Sequence, residues 1–135
     1  MSDFPRLIAT CLDAEDSRGL AAFWSDFLGL EYRPGQGPDD DPGFIVIDRP
    51  DGTPALTVQQ VPLLPRATWP TNDVPAQAHL DLMVSDREAL RRQVDRAIAG
   101  GARILDDRSH DDADPLIVMA DPAGHPFCLI APPVS

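Results

Sequence analysis

Residues 77–105 read QAHLDLMVSDREALRRQVDRAIAGGARIL, and the fold turns on this stretch. Leu80, Leu82 and Val84 alternate with His79, Asp81 and Met83, the period-two pattern of a strand with two unlike faces. The period then changes. Leu90, Val94, Ala97 and Ile98 trace one side of a helix, Ser85 with Glu88 offers a capping box at its start, and Gly100–Gly101 supplies its stop. The same order stands 70 residues earlier in LIATCLDAEDSRGLAAFWSDFLGLEYRP, residues 7–34. There Leu20, Trp24, Phe27 and Leu28 form the inward stripe, Phe23 widens it, Asp16 or Ser17 caps the helix and Gly29 ends it.

After each helix come a short strand, a polar loop and two strands joined by a tight turn. Pro50–Asp51–Gly52 marks one turn and Pro122–Ala123–Gly124 the other, with Pro presetting φ and Gly supplying a positive one. The prolines are 72 residues apart, so about two residues of insertion separate the halves. The expected architecture is α+β: two tandem βαβββ modules, 5–61 and 76–133, whose paired curved mixed sheets enclose a trough. Residues 62–75 (PLLPRATWPTNDVP) carry four prolines and no periodicity, and read as a stiffened linker. Trp69 within it either seals a sheet edge or lids a pocket.

Composition narrows the function. The chain has 135 residues, ordinary globular content of 43% hydrophobic and 24% charged side chains, and no run long and apolar enough to span a bilayer. With no leader-like N-terminus, a soluble cytoplasmic protein is expected. Its 22 acidic against 11 basic residues give a net charge of −11, which disfavours nucleic acid and attracts cationic small molecules. Every basic residue is Arg, so lysine Schiff-base chemistry is excluded. Cys11 and Cys128 read as unbridged thiols. Ser109, His110 and Asp111 are consecutive and cannot form a nucleophilic triad; His110 and His125 are expected at the surface.

Residues two apart on a strand share a face. His79, Asp81 and Met83 are therefore expected to line the trough in the second module, and Ala9, Cys11 and Asp13 in the first. On the last strands, Leu56 and Val58 are assigned to it in the first module, Cys128 and Ile130 in the second. Thiolate with imidazole would suit zinc should Cys11, His79, Asp81 and Cys128 converge, although no close-spaced pair is present to chelate an ion. Otherwise His79 is a pocket imidazole bonded to a neighbouring strand or to Asp81, or a general base. Asp39, Asp40 and Asp41, together with Asp106, Asp107, Asp111, Asp112 and Asp114, place eight of the 22 acids in two loops related by the repeat. These are either a negative mouth to the trough or two solvated loops.

The paired βαβββ pattern, with AAFWSDFLGL in the first helix, HLDLMV opening the second module and DPAGHPFCLI closing it, resembles the glyoxalase/bleomycin-resistance/dioxygenase (vicinal oxygen chelate) superfamily, in its glyoxalase-like subgroup of high-GC bacteria. The resemblance implies a single glyoxalase-like domain over 1–135 and a homodimer. It also implies metal ligands at Ala9, Leu56, His79 and Cys128, of which only His79 matches cleanly. No cofactor is therefore expected; an ion, if held, falls to His79 with Cys128. Three readings follow. In the first, the trough binds a small organic molecule, cationic or aromatic, among Cys11, Asp13, Leu56, Val58, Trp69, His79, Asp81, Met83, Cys128 and Ile130. In the second, the protein is a lyase, isomerase or dioxygenase using His79 as metal ligand or general base. In the third, it is a homodimeric interaction module without ligand.

Overall fold

The computed structural model describes residues 3–37, 39–41 and 43–134. The chain divides into two units, Met1–Leu64 and Pro65–Ser135. The first contains β1 (Thr10–Ala14), α1 (Ser17–Leu28), β2 (Glu31–Tyr32), β3 (Phe44–Asp48) and β4 (Pro54–Gln60). The second repeats that order as β5 (Leu80–Met83), α2 (Arg87–Ala99), β6 (Arg103–Arg108), β7 (Leu116–Ala120) and β8 (Pro126–Ile130). Each unit builds a four-stranded mixed sheet, β1-β4-β3-β2 and β5-β8-β7-β6. In both, the first strand lies parallel to the last and the other pairs are antiparallel.

Helix α1 begins at Asp16, whose carboxylate accepts from Gly19 N at 3.0 Å. Ser17 instead donates its hydroxyl to Gln60 Oε1 at 2.9 Å, tying the helix start to β4. Gly29 ends α1 in the left-handed region, φ 66°. Trp24 is fully buried. Phe23 meets its ring edge-on at a centroid distance of 5.0 Å and stacks on Phe27 at 5.5 Å, so the first core is built around three aromatic rings. In α2 the cap is Asp86, accepting from Ala89 N at 2.7 Å, and not the expected Ser85. Ser85 lies one residue too far from the first helical residue to reach the unpaired N–H groups. Leu28 and Ile98, expected in the inward stripes, are 36% and 47% exposed; each stands within two residues of its helix's C-terminal end.

The Pro-rich stretch is more ordered than a linker. Thr68 N donates to Val74 O at 2.9 Å and Val74 N returns a bond to Thr68 Oγ1 at 2.9 Å, closing a loop that holds the half-buried Trp69. Arg66 Nη1 donates to Pro122 O at 2.9 Å, on the second hairpin turn. Gly124 in that turn has φ 98°, and a Cβ there would stand 3.0 Å from Arg66 Cγ. Among the described residues, no helix is long and apolar enough to cross a membrane.

Register fixes which residues share a face. In the second sheet Leu80 pairs with Phe127 and Leu82 with Leu129, with Phe127 and Leu129 buried on the side that packs α2. The opposite face carries Asp81 paired with Cys128 and Met83 paired with Ile130. In the first sheet Leu12 pairs with Val58, whereas Cys11 pairs with Thr57 and Asp13 with Gln59. Leu56 and Val58, 5% and 0% exposed, therefore point to the α1 side with Leu12. The residues that share a face with Cys11 and Asp13 are Thr57 and Gln59, which corrects the expected assignment.

The cause is a β-bulge. Asp48 pairs with Pro54 but Ile47 with Leu56, leaving Ala55 without a register partner. The corresponding pairs in the second hairpin, Ala120 with Pro126 and Met119 with Phe127, run without interruption. One extra residue after the first turn reverses every later side chain relative to the repeat.

Candidate functional site

Two rows of side chains cross the far face of the second sheet, the face turned from α2. One runs Asp81, Cys128, Val118, Asp106, and the next Met83, Ile130, Leu116, Arg108. His79 stands just before β5, two residues from Asp81 on the same side by alternation. Its Nε2 lies 3.2 Å from Asp81 Oδ1, both side chains being more than half exposed. The donor atoms of His79, Asp81 and Cys128 lie within 4.8 Å of one another. Asp81 and Cys128 are placed by one parallel ladder pair, and His79 by its position immediately before β5.

Burial pushes the Cys128 thiol up to about 11, and the charge of Asp81 and its hydrogen bond from the thiol push the same way. Near neutral pH Cys128 is thus a protonated donor held against a carboxylate, with low nucleophilicity. Across the row, Arg108 Nε donates to Asp106 Oδ2 at 2.7 Å. Val118 is buried, whereas Met83 is 70% exposed. The face therefore offers a polar group at one edge, an apolar strip beside it and an Arg–Asp pair at the other edge.

Of the expected site residues, the structure brings together His79, Asp81 and Cys128, with Met83 and Ile130 in the next row. Cys11 and Asp13 occupy the equivalent face of the first unit, beside Thr57 and Gln59, with Ala9 preceding them. Val118, Asp106 and Arg108 belong to the second face and were not picked out as a row by the sequence; β6 alternates too weakly, because a register shift falls between Ile104 and Asp106. Asp106 and Asp107 accordingly lie in β6 instead of a loop.

The acidic residues are mostly engaged locally. Asp40 accepts from Gly37 N at 2.7 Å, Asp41 from Gly43 N at 2.9 Å and Asp111 from Ala113 N at 3.0 Å. Asp112 pairs with Arg87 at 2.6 Å. The Ser109 hydroxyl and backbone N–H hold the Asp107 carboxyl below its usual range. Such bonds are those of solvated turns and strand ends. His110 is exposed. His125, expected at the surface, is largely covered: its Nδ1 lies 3.0 Å from Asp121 Oδ2, and Asp121 is fully buried while also accepting from the N–H groups of Ala123 and His125. That pair closes the hairpin turn. A separate cleft of about 160 Å³ lies on the α2 side, lined by Val94, Ile98, Ile104 and Ile117 with Arg91 and Asp107.

The model of the glyoxalase-like domain matches residues 9–130. The chain belongs to the glyoxalase-like family. Solved structures agree on the fold. A glyoxalase/bleomycin resistance protein/dioxygenase family enzyme from Burkholderia phytofirmans PsJN superposes with a TM-score of 0.69 at 16% identity, covering 94% of this chain and 98% of that one. Lactoylglutathione lyase from Agrobacterium tumefaciens gives 0.59 at 20% identity, covering 96% of each chain. A variant of the fosfomycin resistance protein FosX from Listeria monocytogenes, complexed with Mn(II) and 1S,2S-dihydroxypropylphosphonic acid, gives 0.67 at 16% identity, covering 96% and 93%. No curated protein matches the chain.

Whether this face could hold a divalent ion is set by its own donor atoms. The donor set answers in part: one imidazole, one carboxylate and one thiol suit a borderline-soft ion such as zinc better than a hard one. In the first unit Ala9 and Thr57 stand at the positions corresponding to His79 and Cys128, and neither is a usual ligand.

Proposed function

We propose that this glyoxalase-like protein binds a small organic molecule bearing a cationic or aromatic group on the far face of its second sheet, with no ion required for binding. The observation that carries this reading is the juxtaposition of exposed Asp81 and His79 with exposed Met83 and half-buried Ile130 in adjacent rows. A carboxylate beside an apolar strip fits a ligand with a charged head and an apolar body, and the net charge of −11 raises the local concentration of cations. Asp81 acts as counter-ion, His79 orients the polar end, and Met83 adapts to the body.

A thermal-shift screen of quaternary ammonium and aromatic compounds in chelator tests it. Hits should raise the midpoint at low salt, less so at high salt, and lose their effect in Asp81→Asn. If no compound raises the midpoint at any ionic strength, the reading fails.

The 3.2 Å approach of His79 to Asp81 favours one second reading: an enzyme in which the carboxylate orients His79 as a proton-transfer base. Turnover found in a substrate screen should then fall in His79→Ala and lose its decline toward acid pH.

A further inference from the structure

We infer that the cleft between α2 and β6 binds a small apolar α-amino acid, with its carboxylate on Arg91, its ammonium on Asp95 and its side chain on an aliphatic floor. The cleft is a product of the repeat. Where α1 presents Phe23, Trp24 and Phe27, α2 presents Gln93, Val94 and Ala97. The sheet beneath is unchanged: Ile117 stands where Ile45 does, and both are buried. Aromatic volume is thus missing above β7. The remaining space, about 160 Å³, is flanked by Ile98 and Ile104, 47% and 43% exposed. Apolar space of this size holds a benzene-sized group or a branched alkyl chain. Water there finds few partners, so an apolar group that displaces it gains.

The rim fixes what that group is attached to. Arg91 and Asp95 are one helical turn apart, which sets their Cβ atoms about 5–6 Å apart on one face, with Val94 and Ile98 beside them on the cleft wall. Among the described residues neither charge is in an ion pair. Asp107 faces them from β6. Its ladder pair with Ile117 sets its carboxylate next to the floor, where Ser109 N and Oγ donate to it at 2.9 and 2.6 Å. A carboxylate ligand alone would meet Arg91 but also two like charges. An amine alone would meet the two carboxylates but also the guanidinium. A ligand with both charges on one carbon satisfies the three together, the Arg fork taking its carboxylate in two parallel bonds. These residues all belong to the second unit and lie on the opposite side of its sheet from His79 and Asp81, so the site is independent of the one proposed above.

The test is a titration of the full chain with L-leucine and L-phenylalanine, followed by calorimetry and by the shifts of backbone amide signals in solution. Expected are one equivalent bound and shift changes grouped on α2 and β6. Isocaproate and isoamylamine, which carry leucine's body with a single charge, should bind at least about tenfold more weakly. Glycine, with both charges and no body, should be weaker by a similar factor. Arg91→Gln and Asp95→Asn should each lose about tenfold, whereas His79→Ala and Asp81→Asn should change nothing. Val94→Trp returns the indole of α1 to this position and should abolish binding; circular dichroism checks its fold, and the two polar variants decide the matter should it not fold. No heat and no shifts with either amino acid at millimolar concentration overturns the site. So does binding of isocaproate or isoamylamine as tight as that of leucine, or binding that survives both Arg91→Gln and Asp95→Asn. Shift changes on β5 and β8, lost in Asp81→Asn, would also overturn it and would assign the amino acid to the far face.

Discussion

The two sheets place different chemistry at equivalent points of one scaffold. Where the second carries His79 ahead of the row Asp81–Cys128–Val118, the first carries Ala9 ahead of Cys11–Thr57–Val46. The first row keeps a thiol but has no imidazole or carboxylate beside it, and its next row, Asp13–Gln59–Phe44, moves the carboxylate one step along the strand. The cores are unequal in the opposite sense: Trp24 with Phe23 and Phe27 fills the first, while Val94 occupies the helical position equivalent to Trp24. The first unit thus invests its large side chains in packing and the second concentrates the reactive groups. The order of elements is shared by the two units, and the side chains mounted on it differ.

The largest test of that contrast is in the cores. Trp24→Ala should cost about 3–5 kcal/mol in urea unfolding, and Val94→Ala distinctly less because it leaves a smaller void. The reverse order would break the comparison. Next come the turns. Gly124→Ala should cost about 1–3 kcal/mol, from its positive φ and its closeness to Arg66, whereas Gly52→Ala, with φ 87° and no atom within 4 Å of a new Cβ, should cost less. Adding Arg66→Ala to Gly124→Ala should recover part of the loss. Asp16→Ala and Asp86→Ala should each cost about 1 kcal/mol, a similarity that shows the two helix starts remain equivalent.

The smallest effect separates the thiols. Cys128 keeps its proton in the folded chain up to about pH 11, against 9.0 for an ordinary thiol. Unfolding releases that proton above the ordinary value, so the contribution is fully present below pH 9 and lost as pH rises toward 11. Stability measured in chelator should fall over that window with a slope reduced in Cys128→Ser. Iodoacetamide at pH 8 should label exposed Cys11 before Cys128.

Much of this was legible in the sequence. The helical stripes stand out because Leu20, Trp24 and Phe27 match Leu90, Val94 and Ala97 residue for residue, and the alternation of residues 79–84 assigned His79, Asp81 and Met83 to one side. Leu56 and Val58 were misassigned because equal turn lengths align Pro54 with Pro126, while Ala55, which carries no signature of a bulge, adds its residue afterwards. Alternation reports relative facing within a strand, not which side the helix takes. Ser85 and Glu88 imitate a capping box, yet Asp86, one residue closer, wins the geometry. His125 looked superficial because its partner Asp121 is recognisable as a buried acceptor only once the turn closes over it. The sharing of Cys128 between Asp81 and Val118 required the strand order, which no local pattern contains.

The unpaired Ala55 bears directly on how properties are transferred to this chain from its relatives. An alignment that sets its gap in the hairpin turn will map a relative's inward ligand onto Leu56, where a charged group would be driven into the aromatic core. Setting the gap within β4 maps it onto Thr57. Anyone grafting a second donor set into the first unit should therefore begin at residues 9, 11 and 57, and a graft at 56 should be expected to unfold the protein before it binds anything.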